Sequence, residues 1–414
     1  MPRGGWAGRF SGGVPRPGVV GHTGRVPEEI DVVALTQALV RCRSVTPADD
    51  GALDVVQAVC EGLGFTVTRL EFDGTPNLFA RRGSGSPHVC FAGHTDVVPA
   101  GASTWTSDPF AADVRDGVIV GRGTSDMKGA VAAFLAAVGA RDASTDADAS
   151  ISLLITGDEE GPATGGTVRV LEWMAANGHV PDFCIVGEAT NPTRMGETIK
   201  IGRRGSIGAH IVVEGTQGHV AYPHRVDNPV HSLVGALHEL STTTLDEGTD
   251  WFEPSSLQVT SVDVGNPTTN LVPAVATARL NIRFNDLHTG RSLERLLHDV
   301  LSRHCTRFTL DATIGGEAFL TVPDAATFAL AAAVEQVTGT VPTFNTTGGT
   351  SDARFVSGYC RVAELGLVGA TIHQVDESTT VDDLHQLTAV YAAALDGLLR
   401  ADGPLTDLPG TQAG

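Results

Sequence analysis

A chain of 414 residues has room for two or three domains, each large enough to bury its own core. Its 48 acidic and 28 basic residues leave a net charge of −20, which repels polyanions and argues against nucleic acid or an anionic membrane surface as a partner. Hydrophobic residues make up 42% of the chain, as in a globular protein, yet no apolar run approaches the roughly 20 residues that a bilayer span needs.

Residues 1–27 are rich in Gly, Pro and Arg and lack the apolar stretch of a secretory signal, so a disordered extension is expected there. Amphipathic stretches over 28–42 and 52–64 predict two helices, and the short runs at 65–72 (FTVTRLEF) and 88–94 (HVCFAGH) predict strands. The Ala-rich run 127–140 predicts a helix. A polar linker follows at 141–150, then a strand at 151–157, a helix at 167–178 and a strand at 182–187. Strands alternating with helices predict an α/β/α sandwich on a largely parallel sheet.

Near Arg204 the pattern changes. The alternating runs 206–218, 256–265 and 276–285 suit a half-exposed antiparallel sheet, with helices expected at 229–241 and 292–304. Residues 205–317 are therefore expected to form a separate α+β insert. The helix-like run 327–339 and the segment around 362–369 resume the first pattern. This predicts a discontinuous domain of residues 28–204 and 318–403, followed by a tail at 404–414. The six cysteines are scattered without a C-x-x-C pair or a dense framework, which points to buried thiols and a reducing, cytoplasmic location.

Metal-binding side chains follow apolar strands at five places. His94 and Asp96 come after 89–93, Asp126 after 118–125, Glu159 and Glu160 after 151–158, Glu188 after 183–187, and His373 after 367–372. In open α/β sheets, ligands bind beyond the carboxyl ends of strands, so these groups can converge on one crevice. Any one of them alone reads more simply as a turn or a solvated strand end. Together they make a mixed N/O donor set suited to zinc, assembled from distant segments as in two-metal hydrolases. Asp126, Glu160 and Glu188, with a bridging hydroxide, bring four negative charges to offset two divalent ions. Asp96 is placed to accept the second ring N–H of His94. Glu159, spare in this count, is the candidate general base.

The motifs GHTDVVP (93–99), GRGTSDMKG (121–129), GDEEGPATGGT (157–167) and VGEAT (186–190) resemble the aminoacylase and carboxypeptidase family of co-catalytic zinc hydrolases. Within it, RRGSIGAHIVVEGTQGHVAYPH, TTNLVPA, TGGTSDARF and the His373 segment are similar to the branch acting on succinylated intermediates of diaminopimelate and lysine biosynthesis. The likeness runs from about residue 28 to 400. It implies two Zn2+ per chain, with Co2+ as a substitute. Asp126 would bridge both ions, His94 and Glu188 would complete one site, and Glu160 and His373 the other. It also implies that the 205–317 block is a dimerisation domain and the chain a homodimer. His219 would then reach the partner's site to stabilise the oxyanion. Arg203, Ser206, Asn270, Arg283, Thr350 and Arg354 fall where the family grips the substrate's carboxylates and backbone groups, a role for which the planar Arg fork is suited.

One departure concerns the run Gly366–Leu367–Val368–Gly369, which stands where close members of that branch read Gly-Pro-x-Asn; it lacks an amide side chain. The metal motifs also serve deacylases of other acylated amino acids, including acetylated ones. A binding protein that keeps the fold without catalysis is disfavoured by the intact set with Glu159. A two-metal phosphohydrolase is disfavoured by the acidic surface and the lack of a Gly-rich phosphate cradle.

Overall fold

The computed structural model describes residues 30–141, 148–400, 402, 403 and 405. The expected extension at 1–27 lies outside the described residues, as does nearly all of the 404–414 tail. The chain opens with helices α1 (Val32–Arg41) and α2 (Ala52–Gly62), then strands β1 (Thr66–Phe72), β2 (Thr75–Gly83) and β3 (His88–His94). Helix α3 (Gly129–Gly139), β4 (Ser150–Thr156), α4 (Thr167–Ala176), β5 (Phe183–Val186) and β6 (Thr198–Lys200) follow. Next come β7 (Gly205–Glu214), α5 (Pro229–Thr242), β8 (Ser256–Asp263), β9 (Val275–Phe284), α6 (Gly290–His304) and β10 (Phe308–Gly316). The chain closes with α7 (Ala325–Thr338), β11 (Thr343–Asn345), α8 (Ala353–Val356), β12 (Arg361–Glu364) and α9 (Val381–Leu398).

An eight-stranded sheet has the order β1-β2-β4-β3-β5-β12-β6-β11. The central strands β4, β3, β5 and β12 run parallel. The sheet as a whole is mixed, because β1 and β2 form an antiparallel hairpin that pairs antiparallel with β4, and β6 meets β12 antiparallel. The tight Asp73–Gly74 turn, with φ of 54° and 81°, reverses the chain there, so no crossover helix makes those strands parallel.

Strand β3 shows how the layers form. Its side chains alternate, with Val89 and Phe91 facing a core shared with α1, α3, α7 and α9, and Cys90 and Ala92 facing a second core shared with α4 and α8. Both faces are covered, so the strand is buried along its whole length. Phe91 stacks on Phe134 at 4.4 Å, and Tyr391 meets both rings edge-on.

Strands β8-β9-β7-β10 form a separate antiparallel sheet. Ile207, Ala209, Ile211 and Val213 of β7 point to one face, where α5 and α6 supply Leu233, Leu237, Leu293 and Leu297 to a core distinct from the other two. Intervening residues such as His210 and Val212 are half-buried, matching the expected one-sided sheet. All six cysteines are free, and no helix of the described residues is long and apolar enough to cross a membrane.

Candidate metal centre

The parallel strands deliver the site. His94 is the last residue of β3, Glu159 and Glu160 follow β4, Glu188 follows β5, and Asp126 precedes α3. His94 Nε2 lies 3.2 Å from Asp126 Oδ1 and 3.8 Å from Glu188 Oε1. On the other side of Asp126, His373 Nε2 lies 3.5 Å from Oδ2 and 2.9 Å from Glu160 Oε1. The two oxygens of Asp126 thus face different imidazoles. Donor atoms of His94, Asp126 and Glu188 fall within 4.8 Å of one another, as do those of Asp126, Glu160 and His373, and those of His94, Glu159 and Glu160.

The electrostatics mark a cluster suited to cations. Burial pushes Glu159 up to about 8 and raises Glu188 well above the carboxylate range, with neighbouring carboxylates adding to both. Hydrogen bonds to Asp126 and Glu160 raise His373 to about 10. Burial opposes charge on Asp126 and on His94, but hydrogen bonds from His373 and His94 outweigh it and lower Asp126, while the bond to Asp126 and the nearby carboxylates raise His94. The protein alone can hold so many carboxylates together only by taking up protons, a task that divalent cations perform better. The donor set of imidazoles and carboxylates fits zinc-type ions.

Asp96 corrects one expectation. Its backbone carbonyl, not its carboxylate, is the near partner of His94 Nδ1, at 2.8 Å, while the carboxylate stands 3.6 Å away. The carboxylate accepts instead from Thr46 Oγ1 at 2.6 Å and from the backbone N–H groups of Glu159 and Glu160 at 3.3 and 3.1 Å. Two residues along the chain, the carbonyl reaches the ring more directly than the side chain, which is left to hold the turn that carries both glutamates.

The substrate-gripping candidates are spread more widely. Arg203 is buried, and its guanidinium is engaged by Glu364, with Nε at 2.9 Å from Oε1 and Nη2 on Oε2, while Nη1 donates to Gly349 O at 3.0 Å. Ser206 on β7 lies directly across from Arg283 on β9. Thr350 is half-buried in the loop before α8. Arg354 on α8 lies over the Phe355 ring at 4.5 Å. His219 pairs with Leu271 in a short two-stranded ladder, and just beyond it Val220 N donates to Asn270 O at 3.2 Å. His219 is exposed, and among the described residues no hydrogen bond or ion pair joins it to the carboxylate cluster.

Sequence reasoning missed several buried charged side chains that surround the site, among them Glu364, Lys128 and Glu377. Glu364 ties Arg203 to Ser351, Lys128 donates to Cys42 O at 2.7 Å, and Glu377 gathers the turn that carries Asp126. In sequence each sits beside other polar residues or within an apolar run, and their partners are backbone groups or residues far away.

The chain is similar to known proteins in sequence and in fold. A succinyl-diaminopimelate desuccinylase of Gluconacetobacter diazotrophicus is 58% identical over 379 residues, covering 90% of this chain and 98% of that protein. One of Granulibacter bethesdensis is 56% identical, covering 90% and 99%. Among solved structures, an M20 family metallo-carboxypeptidase from Sulfolobus solfataricus superposes with a TM-score of 0.70 at 18% identity, covering 89% of this chain and 99% of its own. A Bacillus subtilis protein described as a dinuclear metal binding peptidase from the M20 family does so with a TM-score of 0.65 at 13% identity, covering 89% and 97%. At such identities these two speak for the fold alone. The profile of peptidase family M20/M25/M40 matches residues 90–397, a span holding every residue of the cluster, and the chain belongs to that family.

Proposed function

We propose that the chain is a metal-dependent amidohydrolase that cleaves N-succinyl-LL-2,6-diaminopimelate into succinate and LL-2,6-diaminopimelate, working in the cytoplasm as a homodimer with two Zn2+ per subunit. The observation that carries the chemistry is Asp126, whose two oxygens face His94 and His373 on opposite sides. It supports a shared carboxylate, with His94 and Glu188 holding one ion and Glu160 and His373 the other. Co2+ fits the same donors. The choice of acyl group rests on the desuccinylase relatives.

When bound, the ions supply Lewis acidity to the scissile carbonyl and acidify the attacking water. Glu159 takes the proton of that water and passes it to the departing nitrogen. The water oxygen adds to the carbonyl carbon, and the C–N bond breaks as the carbonyl re-forms, so the water oxygen leaves in succinate and its proton leaves on the amine. Asp96 keeps Glu159 in place through the backbone of the Glu159–Glu160 turn. His219 of a second copy donates to the carbonyl oxygen as it gains charge. Arg283 and Ser206, adjacent on neighbouring strands, offer a cation and a hydroxyl to a substrate carboxylate. Asn270, Thr350 and Arg354 are further candidates for substrate contact. Arg203, already held by Glu364, orders the Gly349–Thr350 segment in the structure as it stands.

A panel of N-succinyl and N-acetyl amino acids, assayed with zinc-loaded protein and again after chelation, tests this reading. The succinylated diaminopimelate should exceed its acetylated counterpart in kcat/KM by roughly a hundredfold or more, because a pocket built for a carboxylate leaves its cation unpaired with an acetyl group. Preference for an acetylated substrate would overturn the assignment of the acyl group, and activity that survives chelation would overturn the metal chemistry.

A further inference from the structure

Glu377 is fully buried and lies four residues beyond His373, on the segment leading to α9. Its Oε1 accepts from Gly123 N at 3.0 Å and from Ser125 N, Ser125 Oγ and Asp126 N at 3.2 Å each. Its Oε2 accepts from Arg122 Nη1 at 2.6 Å, and the second prong of that guanidinium, Nη2, reaches the His373 carbonyl at 3.3 Å. Gly121 N donates to the Glu377 backbone carbonyl at 2.8 Å.

The donors belong to one turn. Gly123 has φ of 86°, and a Cβ there would come within 2.7 Å of Val97, so the turn is tight and suited to glycine. The N–H groups of Gly123, Ser125 and Asp126 converge as in a backbone nest, a concavity that binds anions, while Thr124 N turns back to Gly121 O at 3.2 Å. The nest is filled by a carboxylate of the chain itself. Asp126, at the end of the turn, has φ of −126° and ψ of 94°, outside the helical range, and this directs its side chain away from α3 toward the cluster. Without the anion, the buried N–H groups that fix this conformation would lack partners.

We infer that Glu377 is a positioning residue for the metal centre: as an internal anion it holds the turn that aims Asp126, and through Arg122 it ties that turn to the His373 segment. One carboxylate thus links two ligands separated by more than 240 residues of chain. The inference rests on the two-metal reading of the site. It assigns Glu377 no contact with substrate or ion.

The test is calorimetric titration of Zn2+ into chelator-stripped protein, for the wild type, Glu377→Gln and Arg122→Lys, with far-UV circular dichroism and melting of each stripped protein. Glu377→Gln keeps the side chain's size but turns an amide N–H2 toward a nest of donors. It should weaken both ions by roughly ten- to a hundredfold, the usual effect of losing a group that orients ligands, and lower kcat with little change in KM. Arg122→Lys keeps a cation on Glu377 but loses the second prong, so it should weaken the ion held with His373 and spare the one held with His94. Wild-type Zn2+ affinities in Glu377→Gln, with only a lower melting temperature, would overturn the inference by showing a purely structural role. If Glu377→Gln does not fold, Arg122→Lys decides, and unchanged affinity for both ions overturns it. A wild type that takes up one ion or none would count against the two-metal reading itself, whereas the inference is judged from the variant-to-wild-type ratio.

Discussion

Glu159 and Glu160 are adjacent in sequence but differ in their surroundings. Glu160 bonds to His373, while Glu159 is half-buried near His94 with neighbouring carboxylates around it. Their division into ligand and base gives a direct expectation: Glu159→Gln should keep normal zinc content and lose roughly a hundred- to ten-thousandfold in kcat, the usual scale of proton-transfer catalysis. Elemental analysis beside steady-state kinetics checks it, and a loss of zinc would exchange the two roles. His94, Glu160 and Glu188 were legible in the sequence because each ends or follows a strand of the central sheet, where strand ends converge; Asp126, in the turn before α3, and His373, in the turns between β12 and α9, reach the same cluster without the strand that was expected directly before them. Arg203 was read as a substrate anchor because its partner was out of sight. Glu364 is 161 residues away, inside an apolar run, and nothing in that run marks a buried ion pair. Glu377 was hidden for another reason: it stands among Asp376, Asp382 and Asp383, where acidic residues read as solvated, and most of its partners are backbone N–H groups.

Among the elements, the segment joining α5 to β8 depends on one carboxylate. Asp246 accepts from Gly248 N at 2.8 Å, Ser255 N at 3.2 Å and Asn285 Nδ2 at 2.6 Å. Burial works against its charge, but hydrogen bonds from Ser255, Gly248 and Asn285 outweigh that and hold it down at about 2. A folded value below the unfolded one of about 3.9 means that the contribution to stability is present above pH ~4 and fades as the pH falls toward 2. Asp246→Asn should therefore be less stable than wild type in denaturant melts at pH 6, and the difference should narrow at pH 3 and below. An equal difference at both pH values would contradict a charged role. Helices and strands were largely legible from periodicity, down to the Ala-rich α3, whereas the antiparallel hairpin β1–β2 was not. A strand's direction depends on the turn that precedes it, and periodicity carries no direction.

For the whole molecule the open matter is association. In the sheet β8-β9-β7-β10 the outer strands β8 and β10 have edges that are unpaired among the described residues, and such edges invite pairing with a second copy. His219 is exposed beside Tyr222, their rings 5.8 Å apart, and among the described residues no hydrogen bond or ion pair joins it to the carboxylate cluster of its own chain. A two-fold pairing can bring each His219 to the opposite site. Co-expressed His219→Ala and Glu159→Gln chains should then regain part of the activity that each lacks alone, because one site of the mixed dimer carries both intact residues. A mixed dimer that forms but stays as inactive as its parents would mean that His219 acts within its own chain or not at all. Beneath this lies the metal pair, most directly seen by anomalous scattering at the zinc edge from crystals grown with Zn2+. Two peaks are predicted, both against Asp126, one with His94 and Glu188 and the other with Glu160 and His373; a single peak, or a pair that Asp126 does not touch on both sides, would contradict the two-metal centre.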